Sequence, residues 1–172
     1  MMIDYYEKKD LDKALLQKKK TLIFYFVTLG LFLLLSAGIV IWYLTLPYKS
    51  PTITWVKVIH FPLIAIFIAF SFLYLGIKYK RVNNYCKLMH NLETGIRETS
   101  TASFFEYSNE LQYKDGVDCK ALVFLEWNKY KKDFYERKVM VLYEKEFPEI
   151  KEGQNVKFVT QVNVLISYEI LS

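Results

Sequence analysis

One run of basic and aromatic residues, at positions 129–138, holds the side chains best suited to bind something. Lysines can meet phosphate oxygens, and the aromatic rings between them can stack on bases or lie among lipid headgroups. The run could therefore contact a protein partner, RNA or anionic lipid, or it could be a solvated loop whose rings pack on its own domain. The candidate contact residues are Lys129, Tyr130, Lys131, Lys132 and Arg137.

Side chains for catalysis or metal binding are few. The two cysteines, Cys86 and Cys119, are too far apart for a CxxC pair, and two histidines give no metal-ligand spacing. Phosphate-binding glycine loops, GxSxG and HExxH patterns are absent from the sequence. We therefore expect neither enzymatic activity nor a metal or cofactor.

Two apolar stretches, residues 21–46 and 58–77, contain no Asp, Glu, Lys or Arg. A helix rises about 1.5 Å per residue and a bilayer core is roughly 30 Å thick, so each stretch is long enough to cross it. The first is also much longer than the apolar part of a signal peptide. We predict two transmembrane helices joined by an external loop, residues 47–57, which contains Pro47 and Pro51.

The basic residues near these stretches predict the orientation. Eight lie on the side of the two termini and two lie in the loop, which places both termini in the cytoplasm. We therefore expect a multi-pass protein of the cytoplasmic (inner) membrane, in lipid contact, and the many lysines and tyrosines are consistent with a bacterium. The eight are Lys13, Lys18, Lys19, Lys20, Lys78, Lys80, Arg81 and Lys87; the two are Lys49 and Lys57.

Small residues suggest how the two spans pack. Gly30 and Gly38 on the first helix, with Ala65 and Ala69 on the second, would let the backbones approach closely. His60 lies in the first turn of the second span, and without an acidic partner in either span we interpret it as solvated.

A helical stalk, residues 78–100, is predicted to continue the second span into the cytoplasm. Its apolar residues repeat at spacings of three and four, which is typical of a helix-packing seam. The seam could pack on the amphipathic N-terminal segment, residues 1–20, where Asp10 would cap a short helix, or it could join two copies of the chain. The seam residues are Val82, Tyr85, Met89, Leu92 and Ile96.

Residues 101–172 change to the two-residue period of β-strands. Along the second strand, Cys119, Ala121, Val123, Leu125 and Trp127 are predicted to form the buried face, and Asp115-Gly116 is typical of the preceding hairpin turn. Five or six antiparallel strands in this length favour a small barrel, OB-like or SH3-like, because closure removes exposed edges. The fold class is thus an α+β membrane protein, with a transmembrane hairpin, helical cytoplasmic extensions and a C-terminal barrel.

The final strands carry a family resemblance. The segment IKEGQNVKFV at residues 150–159, followed by Val164, Leu165 and Ile166, together with two spans before a small barrel, resembles the membrane-anchored OB-fold proteins of the NfeD type. The resemblance implies an interaction module that accompanies other membrane proteins.

The charge of the barrel region argues against general nucleic-acid binding. Residues 101–172 contain ten Lys or Arg and twelve Asp or Glu, although the whole chain has a net charge of +5. We therefore expect a non-enzymatic accessory protein that presents its barrel to a membrane-protein partner. Two alternatives stay open: a bacterial immunity or defence membrane protein that protects the membrane or responds to a small ligand held by the barrel, and RNA or anionic-lipid binding through residues 129–138.

Overall fold

The computed structural model describes residues 2–128, 130 and 132–171. The chain forms two compact units, one from Leu15–Asn83 and one from Met1–Ala14 together with Asn84–Ser172. We call them the helical unit and the barrel unit. The helices are α1 (Lys8–Thr45), α2 (Thr52–Leu73) and α3 (Lys80–Thr94), and a π-helical segment, Tyr74–Tyr79, joins α2 to α3. The strands are β1 (Ile3–Asp4), β2 (Glu98–Lys114), β3 (Val117–Asn128), β4 (Asp133–Leu142), β5 (Asn155–Gln161) and β6 (Val164–Ile170).

The two apolar stretches lie in two long helices, each long and apolar enough to cross a membrane. The first extends well before the apolar stretch, because α1 begins at Lys8. The separate short helix that we predicted for the N-terminal segment is therefore wrong. Asp10 does not cap this helix as its N-cap residue; it lies in the first turn and accepts a hydrogen bond from the Glu7 N–H at 3.3 Å, as in a capping box.

Aromatic and polar side chains, not small residues, join α1 to α2. The rings of Phe32 and Phe67 stack with their centroids 4.0 Å apart. Ser36 Oγ lies 2.8 Å from His60 Nε2, so this histidine has a partner and our solvated interpretation is wrong. An added Cβ on either predicted glycine would meet nothing within 4 Å. Ala65 and Ala69 are exposed, so the predicted packing set of Gly30, Gly38, Ala65 and Ala69 does not join the two helices in this structure.

The barrel is closed by five strands, which confirms the expected α+β architecture. β2, β3 and β4 form an antiparallel meander, β5 returns to pair with β2, and β6 pairs with β5. The barrel closes where β4 pairs with β6, and this pair is parallel, with Met140 opposite Val164. The prediction of an all-antiparallel barrel is therefore wrong for this pair of strands. The Asp115-Gly116 turn has positive φ at both residues, 53° and 77°, as a tight hairpin between β2 and β3 requires.

The barrel core centres on three phenylalanines. Phe124 stacks on Phe158 at 4.4 Å and meets Phe104 edge-on at 5.6 Å. Leu122 and Phe124, rather than the predicted opposite face of β3, belong to this core. Cys119, Ala121 and Val123 are buried on the outer face, whereas Leu125 is half-buried and Trp127 is exposed. The predicted burial is therefore confirmed for Cys119, Ala121 and Val123 and wrong for Trp127. Both faces of β3 are covered near Cys119, so apolar alternation does not identify which face points into the barrel.

The N-terminal segment covers part of that outer face and adds a strand to the barrel. Ile3 pairs with Tyr168 and Asp4 with Ser167, so β1 extends the sheet beside β6. The Leu142 N–H donates to the Tyr6 hydroxyl at 3.1 Å, and Leu142 is the register partner of Cys119. Sequence periodicity did not predict this strand, because two residues are too few to show a period.

Candidate functional site

The end of the β3–β4 hairpin exposes several aromatic side chains. Trp127 and Phe134 are register partners whose rings meet edge-on at 4.9 Å, and they remain 49% and 60% exposed. Tyr130 is completely exposed, and Lys132 is exposed with a positive φ of 51°. Predicted contact residues Lys129 and Lys131 lie outside the described residues. We call Trp127, Tyr130, Lys132 and Phe134 the hairpin end.

Arg137 does not belong to this exposed group, which corrects its assignment as a contact residue. Its side chain is only 14% exposed and lies with its guanidinium 5.6 Å from the centre of the Phe158 ring. The guanidinium donates to Glu126 at 3.2 Å and to Ser100 at 2.8 Å. It also reaches Glu98, Thr160 and Asn163 at 3.3–3.4 Å. Arg137, on β4, thus forms hydrogen bonds to three other strands and to the β5–β6 turn. These partners could not be predicted from the sequence because they are distant from Arg137 along the chain.

The outer edge of β2 is the second candidate surface. One edge of β2 pairs with β3, and the other edge pairs with β5 only from Glu98 to Ser103. No described strand pairs with this second edge at residues 108–114. The exposed side chains of this stretch include Leu111 and Tyr113. β2 bulges within this stretch, where its pairing with β3 shifts register between Ser108 and Gln112. The outer edge still leaves main-chain donors and acceptors open to an extended partner segment, most regularly from Gln112 to Lys114.

Tyr107 marks the point where this free edge begins. Its hydroxyl accepts from the Ile150 N–H at 2.8 Å and lies 2.8 and 2.6 Å from the Pro148 and Ile150 carbonyl oxygens, to which it can donate. Its ring packs on Phe147 at 4.8 Å. One side chain therefore holds the segment between β4 and β5 against the first part of the edge, and the edge beyond it is uncovered.

Part of the predicted stalk seam packs within the barrel unit. Met89 and Leu92 are buried, and they line a cavity of about 200 Å³ with Leu11 and Ile166. Val82 and Tyr85 are half-buried, and Ile96 is exposed because α3 ends at Thr94 and the chain enters β2 at Glu98. Two of the five seam residues are therefore not available for self-association.

A lysine fastens the start of α1 to the barrel. Lys145 Nζ lies 2.7 Å from both Asp10 Oδ2 and the Tyr5 carbonyl oxygen, and 4.5 Å from the centre of the Tyr6 ring. Burial works to raise the pKa of Asp10, but the hydrogen bond from Lys145 and that from the Glu7 N–H outweigh it and lower the pKa overall. Burial raises the pKa of Tyr5 to about 12, and its hydroxyl donates to the Glu146 carbonyl.

Groups that could carry chemistry stay apart. Within residues 2–128, 130 and 132–171, no three His, Cys, Asp or Glu side chains come together to hold a metal ion. Cys86 is buried, with its thiol 3.0 Å from the Ala14 carbonyl oxygen, and Cys119 is buried in β3. The arrangement is one of exposed edges and rings around a closed core. Comparisons with protein-family models, curated proteins and solved structures found no match for this chain.

Proposed function

We propose that this chain is a non-enzymatic, membrane-anchored interaction protein that presents its barrel to a membrane-protein partner at the cytoplasmic face of a bacterial inner membrane. The two long apolar helices support the anchor. The excess of basic residues beside the termini supports the orientation, because such residues are retained on the cytoplasmic side.

The strand connectivity supports an OB-like barrel. A three-stranded meander, a fourth strand that returns to the first, and a fifth that closes in parallel on the third form a Greek-key path in a closed five-stranded barrel. The NfeD-type resemblance of residues 150–159 belongs to the same proposal. Fold alone does not transmit function, so the choice of partner depends on the surfaces.

The observation that carries the proposal is the free edge of β2 between Ser108 and Lys114. Soluble proteins usually protect such an edge with a covering segment, because it can pair with another chain. Here the cover held by Tyr107 stops short of Leu111 and Tyr113, which are exposed. An extended segment of the partner can add as a strand, with main-chain hydrogen bonds for affinity and contacts to alternate side chains for specificity.

Site-specific photocrosslinking in cells tests this function. A photoreactive residue at Leu111 or Tyr113 should give one discrete membrane-protein adduct, whereas the same residue at Tyr143, which is also exposed, should not. Leu111→Lys combined with Tyr113→Lys should abolish co-purification of that protein in mild detergent, and Tyr143→Lys should leave it intact. Equal adducts at all three positions, or co-purification that survives the double change, would contradict the proposal.

A further inference from the structure

The hairpin end is a separate surface, with a composition that points to a different contact. Trp127 and Phe134 support each other through their edge-on contact, yet both keep about half of their surface in solvent. Tyr130 is wholly exposed, and its N–H is held by Asn128 Oδ1 at 2.9 Å. The Phe134 N–H donates to Asp133 Oδ1 at 2.8 Å. The main chain at Tyr130 and Phe134 is thus held by side-chain hydrogen bonds while both rings are exposed.

Neighbouring side chains on the same hairpin have structural partners. The Tyr135 hydroxyl donates to Glu126 Oε2 at 2.8 Å, and Arg137 binds the same oxygen. These two residues stabilise the base of the hairpin. The aromatic rings of the hairpin end, by contrast, lie beyond this network.

Charge singles out the same end of the hairpin. Residues 127–134 contain three lysines and one aspartate, whereas the rest of residues 101–172 contains seven basic and eleven acidic residues. The positive charge of an otherwise acidic barrel is thus concentrated next to its exposed rings. Trp and Tyr rings favour the boundary between acyl chains and water, and lysines near an anionic bilayer are attracted to its surface potential.

We infer that the hairpin end binds the surface of an anionic phospholipid bilayer. The inference rests on the membrane anchoring proposed above, because a chain held in the bilayer keeps its barrel at a high effective concentration near lipid. A few rings and lysines then suffice, although they would give weak binding to a free domain.

An extended RNA is the competing ligand for lysines and aromatic rings. A binding site for single-stranded RNA covers several nucleotides, so the RNA would extend beyond the three lysines. Its phosphates would then be repelled by the acidic residues on the rest of the barrel. A bilayer touched only by the hairpin end avoids this repulsion. The observations therefore favour lipid.

The three tryptophans of the chain provide the test. Trp42 lies near the end of α1, Trp55 lies near the start of α2, and Trp127 belongs to the hairpin end. The full-length protein is reconstituted in nanodiscs that contain acyl-brominated lipid, a quencher of tryptophan fluorescence. Trp42→Phe with Trp55→Phe leaves Trp127 as reporter, and Trp127→Phe leaves the other two as a control for insertion.

We expect Trp127 to be quenched in phosphatidylcholine mixed with phosphatidylglycerol, and much less in phosphatidylcholine alone. Changing Lys129, Lys131 and Lys132 to Gln should remove most of this quenching, because three neutralised lysines weaken surface attraction roughly 100-fold. The matched control changes Lys138, Lys151 and Lys157 to Gln, which removes equal charge elsewhere on the barrel and should leave quenching unchanged.

The remaining outcomes separate the possible failures. Quenching of Trp42 and Trp55 without quenching of Trp127 would overturn the lipid inference and leave the anchor standing. No quenching of any tryptophan would overturn the anchor and the inference together. Binding of a fluorescent single-stranded RNA that depends on the three lysines, without Trp127 quenching, would assign the hairpin end to RNA instead.

Discussion

The guanidinium of Arg137 donates to the carboxylate of Glu126 across 3.2 Å, and the two side chains are only 14% and 24% exposed. Arg137 also lies over the ring of Phe158 and reaches Glu98. A shielded arginine that bonds to several strands stabilises the closed barrel more than an exposed ion pair would, because water competes less for its donors.

Replacement of Arg137 should therefore destabilise the barrel. We expect Arg137→Gln to lower the free energy of unfolding by about 2–3 kcal/mol, since Glu126 then loses a charged hydrogen-bond partner. Thermal unfolding of the full-length protein in detergent measures this. Lys138→Gln is the matched control, because Lys138 is the exposed neighbour and should change the midpoint little. Equal midpoints for the two variants would refute this role of Arg137.

The Lys145–Asp10 contact should make stability depend on pH. The pKa of Asp10 is lowered from 3.8 in the folded protein, so the charged carboxylate stabilises the fold above that value. This contribution is lost as the pH falls below 3.8 and through the lower folded pKa. Asp10→Asn should thus lower the unfolding midpoint at neutral pH, and the deficit should shrink in that acidic window.

Asp12→Asn is the control for this titration, because Asp12 is exposed in the same helical turn. Its midpoint should follow that of the unchanged protein across the pH range. If the unfolding midpoint of Asp10→Asn were lower than that of the unchanged protein by the same amount at every pH, the carboxylate charge would contribute nothing to stability.

Local periodicity predicted much of this fold, and long-range contacts account for what it missed. Uncharged runs and alternating strands are encoded by neighbouring residues, so both long helices and the strand content could be predicted. The role of Arg137 could not, because Glu98 is 39 residues away and becomes a neighbour only when the barrel closes. Alternation along β3 predicted burial at Cys119 but could not show which face points into the barrel, since Tyr6 comes from the other end of the chain to cover the outer face there.

The Tyr107 hydroxyl should help to hold the segment between β4 and β5, in addition to the ring contact. Tyr107→Phe keeps the ring contact with Phe147 but removes the acceptor of the Ile150 N–H. We expect a loss of about 1–2 kcal/mol and faster cleavage after Lys151 by a lysine-specific protease, because the segment opens more often. Tyr143→Phe, at an exposed tyrosine, is the control. Unchanged cleavage in Tyr107→Phe would show that packing alone holds this segment.

The orientation of the anchor predicts opposite labelling at two exposed tyrosines. Tyr48 lies between α1 and α2, and Tyr143 follows β4 in the barrel unit. With the two native cysteines changed to Ala, Tyr48→Cys should react with a membrane-impermeant maleimide in intact cells, whereas Tyr143→Cys should react only after permeabilisation. The reason is the basic excess beside the termini, which opposes their export. Labelling of Tyr143→Cys in intact cells, with Tyr48→Cys protected, would reverse the proposed topology and place the barrel outside the cell.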